Sequence, residues 1–111
     1  FYVNWFRKDE EGNFIWPGFG ENARVLKWVL ERIGGTTEAV ETAIGMVPKI
    51  EDLDVSGLDL GAEDLQSLLA VDEGEWRTEL TLIEEHYESI GERLPDEMRA
   101  QLNQLSDHLA D

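Results

Sequence analysis

The residues best suited to chemistry lie near the start of the chain, where Phe6, Phe14 and Phe19 are followed by Asn22. Phe19 stands between two glycines, which leave its ring little local support. A planar ring such as a nucleobase offers two π-faces, and stacking on an aromatic side chain contributes about 1–3 kcal/mol per base. The Asn22 amide carries both a donor and an acceptor, so it can read the edge of a purine. These residue types could therefore form a site for a flat, polar ring.

The same residues also have a purely structural interpretation. Aromatic clusters are usually part of a core, so the phenylalanines can form a small aromatic core under a loop. In that case Asn22 only caps the helix that follows it. The residue types alone leave both interpretations open.

A β-hairpin and a glycine-rich turn are expected to position these side chains. Residues 1–7 favour a strand because they are rich in aromatic and β-branched residues. Asp9 to Gly12 has turn chemistry, and residues 13–16 are expected to form a short return strand that Pro17 ends. Across such a short loop, the rings of the first two phenylalanines can lie near each other on one face.

A helix is predicted over residues 23–33, where apolar side chains recur at helical spacing. Trp28 can line its buried face. Gly34-Gly35 signals the helix end, because glycine accepts the left-handed conformation found after a last turn. Residues 36–49 are ambiguous. Within them, residues 37–43 are predicted to be either a short helix or an extended surface segment, which Gly45 and Pro48 end.

Three more helices are predicted in the second half of the chain. They cover residues 62–70, residues 72–90 beginning with the capping box Asp72-x-x-Glu75, and residues 95–109 beginning at Pro95. The last two carry apolar stripes and are joined by a short loop, so they are expected to form an antiparallel helical hairpin. The predicted fold class is therefore α+β, with strands first and helices after them.

The opening third resembles the C-terminal segment of GTP-dependent phosphoenolpyruvate carboxykinases. That family carries NWFRKD, then G-x-F-x-WPGFGEN, then RVL-x-W and an arginine. These elements stand here at Asn4–Asp9, Gly12–Asn22 and Arg24–Arg32. The similarity continues more loosely to the end of the chain, so the resemblance covers essentially all of it.

The resemblance implies that this segment supplies a guanine pocket. The residues it assigns to GTP binding are Phe6, Phe14, Phe19, Gly20, Glu21 and Asn22. The phenylalanines would surround the base, and Asn22 would read its edge. Residues 1–22 would be the hairpin and pocket turn, and residues 23–111 the helical tail, of the nucleotide-binding domain of a larger α/β, kinase-like enzyme. The resemblance implies no catalytic residue and no metal ligand in this chain.

The activity implied for the parent enzyme is the gluconeogenic conversion of oxaloacetate and GTP to phosphoenolpyruvate, carbon dioxide and GDP. The family uses Mn²⁺ and Mg²⁺, whose ligands are expected outside this chain. The expected partners are a small-molecule nucleotide and the remainder of the parent polypeptide. Family members are several times longer than this chain, so we expect a fragment that is inactive alone. A cytoplasmic location is expected.

Composition limits the function classes. The 111 residues include 9 basic and 25 acidic side chains, which gives a net charge of −16. Such a charge argues against sequence-independent binding to nucleic acids, whose affinity comes from Lys and Arg on phosphates, and against an anionic membrane surface. The chain has no cysteine, which excludes a disulfide framework and a zinc–thiolate site within it. No apolar run approaches the roughly 18 residues needed to span a bilayer.

Two alternatives come from other function classes. Asp52 to Glu63 matches a calcium-loop pattern, D-x-D-x-S-G-x5-E, whose oxygens could surround a hard cation. Against it, Pro48 leaves no room for an entering helix, and Asp59 occupies the loop position that is normally apolar. The other alternative is an acidic interaction module that binds a partner through the face running from Trp76 to Ile90.

Overall fold

The first helix begins and ends where the sequence predicts. In the computed structural model, which describes residues 1 and 3–110, α1 covers Ala23–Ile33. The amide of Thr36 donates to the carbonyl of Glu31 (2.9 Å), and that of Gly35 to Arg32 (3.2 Å). This pair of bonds is a Schellman motif, which requires a left-handed residue that Gly35 supplies with φ +73°. Tyr2, in the predicted first strand, and Asp111, in the predicted tail, lie outside the described residues.

The described chain divides into two compact units, one of residues 1–41 and 46–70 and the other of residues 42–45 and 71 onward. The core of the first unit is built from two tryptophans and two leucines. These residues are Trp16, Trp28, Leu53 and Leu65, each buried. Trp28 is the buried residue of α1, as the sequence suggested. The helix leaves its Leu26, Leu30 and Ile33 stripe exposed.

The predicted N-terminal β-hairpin is wrong in its strands, although the chain reverses where expected. Among the described residues of this segment (residue 1 and residues 3–16), an isolated antiparallel bridge between Lys8 and Phe14 stands in place of the two strands. The side chain of Asn4 accepts a hydrogen bond from the amide of Phe6 (3.0 Å), which closes a local turn. A chain that turns there cannot continue as an extended strand, so the ladder is limited to the bridge.

The strands lie instead in the segment for which the sequence left two alternatives. β1 (Val40–Thr42) and β2 (Gly45–Val47) form a two-stranded sheet. β1 lies within residues 37–43, so the extended alternative for that segment is confirmed. Together with the helices, this sheet confirms the α+β class.

The first unit ends with α2, which covers Ala62–Leu69. Its first turn is stabilised by Asp64, whose carboxylate accepts from the amide of Gly61 (3.1 Å). At its other end, the guanidinium of Arg7 donates to the carbonyl of Ala70 (2.6 Å). This bond ties the N-terminal segment to the end of α2.

The second unit contains the predicted helical hairpin. α3 covers Glu73–Ile90 and α4 covers Asp96–Leu109. Asp72 caps α3 by accepting from the amide of Glu75 (2.9 Å). Arg77, near the start of α3, donates to the carbonyl of Leu109 at the end of α4 (2.8 Å), so the two helices run antiparallel. Among the described residues, no helix combines the length and the apolar character needed to cross a membrane.

Candidate functional site

The aromatic residues of the opening segment separate into a buried set and an exposed set. Trp16 and Trp28 are only 5% and 4% exposed. Phe6, Phe14 and Phe19 are 69%, 58% and 90% exposed. The tryptophans therefore form the core, while the phenylalanines lie on the surface. The interpretation of the phenylalanines as a small core under a loop does not fit these exposures.

Phe6 and Phe14 are brought together by the reversal of the chain. Their ring centroids lie 5.8 Å apart at an interplanar angle of 63°, an edge-to-face contact. The turn between them is held by Asp9, whose carboxylate accepts from the amides of Glu11 (3.0 Å) and Asn13 (2.9 Å). The expected proximity of Phe6 and Phe14 is thus confirmed without the two strands that were expected to produce it.

Lys8 places a positive charge beside this pair of rings. Its ammonium nitrogen lies 5.3 Å from the centroid of Phe14, within cation–π range. In a chain with 25 acidic residues, a cation at the edge of an aromatic surface lowers the local negative potential. An anionic ligand that stacks on Phe14 would meet less repulsion there than on the rest of the surface.

The conformation of the backbone, rather than side-chain packing, sets the exposed position of Phe19. Gly18 has φ +130° and ψ −178°, a conformation that is essentially restricted to glycine. A single 3₁₀ turn (Phe19–Glu21) then leads into α1. In the part of the chain that the structure describes, Phe19 makes no aromatic ring contact, whereas Phe6 and Phe14 contact each other. The structure thus pairs two of the three predicted phenylalanines and leaves the third ring apart from them.

Asn22 is not a side-chain cap for α1. Although it precedes the helix, it has helical backbone angles and its side chain makes no capping hydrogen bond. Its Oδ1 instead accepts a hydrogen bond from the indole Nε1–H of Trp16, at 2.8 Å. The capping interpretation of Asn22 is therefore wrong, and its amide faces the aromatic segment.

Trp16 is the residue in this site that sequence reasoning missed. It lies in the buried core of the first unit, with its ring centroid 5.9 Å from that of Trp5. A buried indole N–H usually requires an acceptor. The sequence therefore held a signal for this bond, because Asn22, six residues later across the glycine-rich bend, offers an amide oxygen as an acceptor.

A second feature that the sequence did not predict is a set of ion pairs that follows the 3₁₀ turn. Arg24 forms an ion pair with Glu21 (2.6 Å) and donates to the carbonyl of Asp54 (3.0 Å). Lys27 forms an ion pair with the carboxylate of Asp54 (3.1 Å). Hydrogen bonds from Ser56, and then the bond and charge of Lys27, hold the pKa of Asp54 well below its usual range. These contacts connect the first two turns of α1 to the loop that follows Leu53.

The calcium-loop alternative has no matching geometry. In the described parts of the chain, no group of three or more histidine, aspartate or glutamate side chains is arranged to hold a metal ion. One oxygen of Asp54, a ligand in that pattern, accepts from the backbone and hydroxyl of Ser56, and the other pairs with Lys27. The carboxylate that should bind the cation therefore already has protein partners.

The proposed interaction face on α3 is largely used within the fold. Its apolar stripe consists of Trp76, Leu80, Ile83, Tyr87 and Ile90, and each of these is half-buried. α3 packs against α4, and none of these five side chains is among the exposed ones. The stripe does not offer the fully exposed surface that a partner-binding module needs.

Comparison with known proteins shows which family the chain belongs to. Residues 1–108 match the family model described as the phosphoenolpyruvate carboxykinase C-terminal P-loop domain. A relative from Arthrobacter sp. (strain FB24), named phosphoenolpyruvate carboxykinase [GTP], is 50% identical over 111 residues, which is 100% of this chain and 18% of the relative.

Two further relatives carry the same name. The protein from Paenarthrobacter aurescens (strain TC1) is 50% identical over 109 residues, covering 98% of this chain and 18% of the relative. The protein from Treponema pallidum (strain Nichols) is 49% identical over 106 residues, covering 95% of this chain and 17% of the relative. The chain thus spans less than a fifth of these relatives' length. Because the family model matches nearly all of it, the chain belongs to the phosphoenolpyruvate carboxykinase C-terminal P-loop domain family.

Proposed function

We propose that this chain is the guanine-binding portion of a GTP-dependent phosphoenolpyruvate carboxykinase. The parent enzyme converts oxaloacetate and GTP to phosphoenolpyruvate, carbon dioxide and GDP in the cytoplasm. The observation that carries the proposal is the exposure of Phe6, Phe14 and Phe19, in a segment where Trp16 orients the amide of Asn22. A fold that buries its tryptophans and leaves three phenylalanines in solvent has a surface suited to a flat aromatic ligand.

In this proposal the phenylalanines stack on the base and Asn22 hydrogen-bonds to its edge. The 3₁₀ turn, with Gly20 and Glu21, brings backbone close to the nucleotide. A Cβ atom built on Gly20 would have no neighbouring atom of the described residues within 4 Å. This position therefore opens onto space that a ligand can enter. Stacking supplies affinity for any purine, and the hydrogen bond to the edge supplies the choice between purines.

The chemical step belongs to the rest of the polypeptide. Decarboxylation and phosphoryl transfer need cations close to the developing enolate oxygen and to the transferring phosphoryl group. The proposal assigns the Mn²⁺ and Mg²⁺ ligands, the phosphate loop and the catalytic residues to the remainder of the larger α/β, kinase-like parent. In this chain, residues 1–22 hold the base so that the γ-phosphate is correctly placed, and the mostly helical tail of residues 23–111 follows them.

The test compares nucleotides in the complete carboxykinase that contains this segment. We expect kcat/KM to be much higher with GTP and ITP than with ATP, because inosine keeps the 6-oxo group of guanine. The 111-residue chain assayed alone is expected to show no turnover. If ATP supports the reaction as well as GTP does, the assignment of the site to guanine is wrong.

A further inference from the structure

We propose that Trp16 is a positioning residue that fixes the Asn22 amide with its NH₂ group toward the ligand, so that the site selects a 6-oxo purine over a 6-amino purine. This inference rests on the guanine-binding role proposed above and adds to it a specific determinant of base choice. The observation behind it is the hydrogen bond from Trp16 Nε1–H to Asn22 Oδ1, at 2.8 Å.

The indole N–H of Trp16 sets the orientation of the Asn22 amide. An indole N–H is a donor only, whereas a side-chain amide carries an acceptor oxygen on one side and a donor NH₂ on the other. The oxygen of Asn22 must therefore face Trp16. Rotating the amide by 180° would set two donors against each other and leave the N–H of a residue that is only 5% exposed without a partner. The loss of such a bond disfavours the flipped amide on the order of ten- to a hundredfold.

Both partners in this bond are held by their own surroundings. Trp16 packs in the buried cluster with Trp28, Leu53 and Leu65. The backbone of Asn22 is fixed at the junction of the 3₁₀ turn and α1: its amide donates to Phe19 (3.1 Å) and its carbonyl accepts from Val25 (3.1 Å). These contacts hold both ends of the bond, so we infer that the outward direction of the NH₂ group is set before a ligand arrives.

The outward group is therefore a hydrogen-bond donor. Guanine and hypoxanthine carry an oxygen acceptor at position 6, which an NH₂ group can bind. Adenine carries an amino donor at the same position, which would meet a second donor and leave both unpaired. The indole thus acts on base choice through Asn22 and does not itself need to touch the nucleotide.

The chain contains a matched control for the indole. Trp28 is as deeply buried as Trp16 (4% and 5% exposed), yet its Nε1 has no hydrogen-bond partner among the residues that the structure describes. Trp16→Phe and Trp28→Phe delete the same atoms from similarly buried sites in the same core. Only the first variant removes the restraint on the amide, so any difference between the two isolates that restraint from the loss of packing.

The experiment measures kcat/KM with GTP, ITP and ATP in the complete enzyme carrying each variant. Trp16→Phe is expected to lower the GTP-to-ATP and ITP-to-ATP ratios about three- to tenfold, the worth of one oriented neutral hydrogen bond. Trp28→Phe is expected to leave both ratios unchanged. If Trp16→Phe lowers all three values equally, or if both variants lower the ratios alike, the positioning role is overturned.

Asn22→Asp keeps the test decisive even if Trp16→Phe does not fold. A carboxylate still accepts from the indole but presents an acceptor to the ligand, so the GTP-to-ATP ratio is expected to fall by more than about tenfold. An unchanged ratio in this variant overturns the inference. The guanine-binding role itself fails on a separate result, a wild-type enzyme that uses ATP as well as GTP.

Discussion

The variant Phe19→Ala tests whether the ring of Phe19 binds a ligand or only supports the fold. Phe19 is 90% exposed, so Phe19→Ala removes little buried surface. A fully buried phenylalanine covers about 150–250 Å². A tenth of that area, at about 25 cal/mol per Å², corresponds to roughly 0.5 kcal/mol. The free energy of unfolding should therefore change by less than about 1 kcal/mol.

The effect on nucleotide binding should be much larger. Losing a stacking contact with the base costs about 1–3 kcal/mol. At 25 °C this raises the dissociation constant for GTP about 5- to 150-fold. The KM for oxaloacetate should stay within about twofold of the wild-type value, because the proposed site contacts only the nucleotide. Phe19→Trp should recover most of the lost affinity, since it restores a ring face.

The assay combines steady-state kinetics with thermal unfolding of the complete enzyme. Leu82→Ala is the control, because Leu82 is also exposed (53%) but belongs to α3, outside the aromatic segment. That variant should change neither KM. Destabilisation by more than about 2 kcal/mol in Phe19→Ala, or equal losses for GTP and oxaloacetate, would show that Phe19 is structural and refute the reasoning.

Three further predictions concern the elements that support the site and the hairpin. The pKa of Asp54 lies below its ordinary value, so its contribution to stability is complete above about pH 5 and is lost as the pH falls below about 4. The free energies of unfolding of wild type and Asp54→Asn should therefore converge in that acidic range. A difference between them that widens on acidification would contradict this prediction. Gly35→Ala should destabilise the end of α1 by about 1–2 kcal/mol, because φ is +73°; unchanged hydrogen exchange of the amides at the helix end would argue against the Schellman motif. Leu109→Ala should cost about 2–5 kcal/mol in urea unfolding, because Leu109 is 2% exposed; a loss below about 1 kcal/mol would mean that the end of α4 is not tightly packed.

The helices were predictable because their signals are local. The spacing of apolar residues, the cap at Asp72 and the glycines after α1 each act within a few residues of a helix end. Observed and predicted boundaries accordingly agree closely. The strands were not predictable in the same way, because pairing depends on contacts that propensity does not describe. The bond from the amide of Phe6 to the side chain of Asn4 diverts the first segment into a turn, although its composition favours a strand.

The candidate site was predictable in its residue types but not in its arrangement. Phenylalanine and tryptophan give nearly the same signal in a sequence, since both are large and apolar. The structure separates them by burying Trp16 and leaving Phe6, Phe14 and Phe19 exposed. No local rule predicts that division, because it depends on how α1, α2 and the loop at Leu53 meet around the two tryptophans.

The exposed phenylalanines also argue against stability as their purpose. Burying a phenylalanine side chain contributes about 1.5–3 kcal/mol, so a fold under selection for stability alone gains by turning such rings inward or replacing them with polar residues. Phe19 remains 90% exposed behind a glycine at φ +130°, a conformation that costs backbone entropy to hold. Phe6 and Phe14 recover only part of the cost through their edge-to-face contact. A flat ring stacked on these phenylalanines would cover them, which is the role that guanine has in the proposed function.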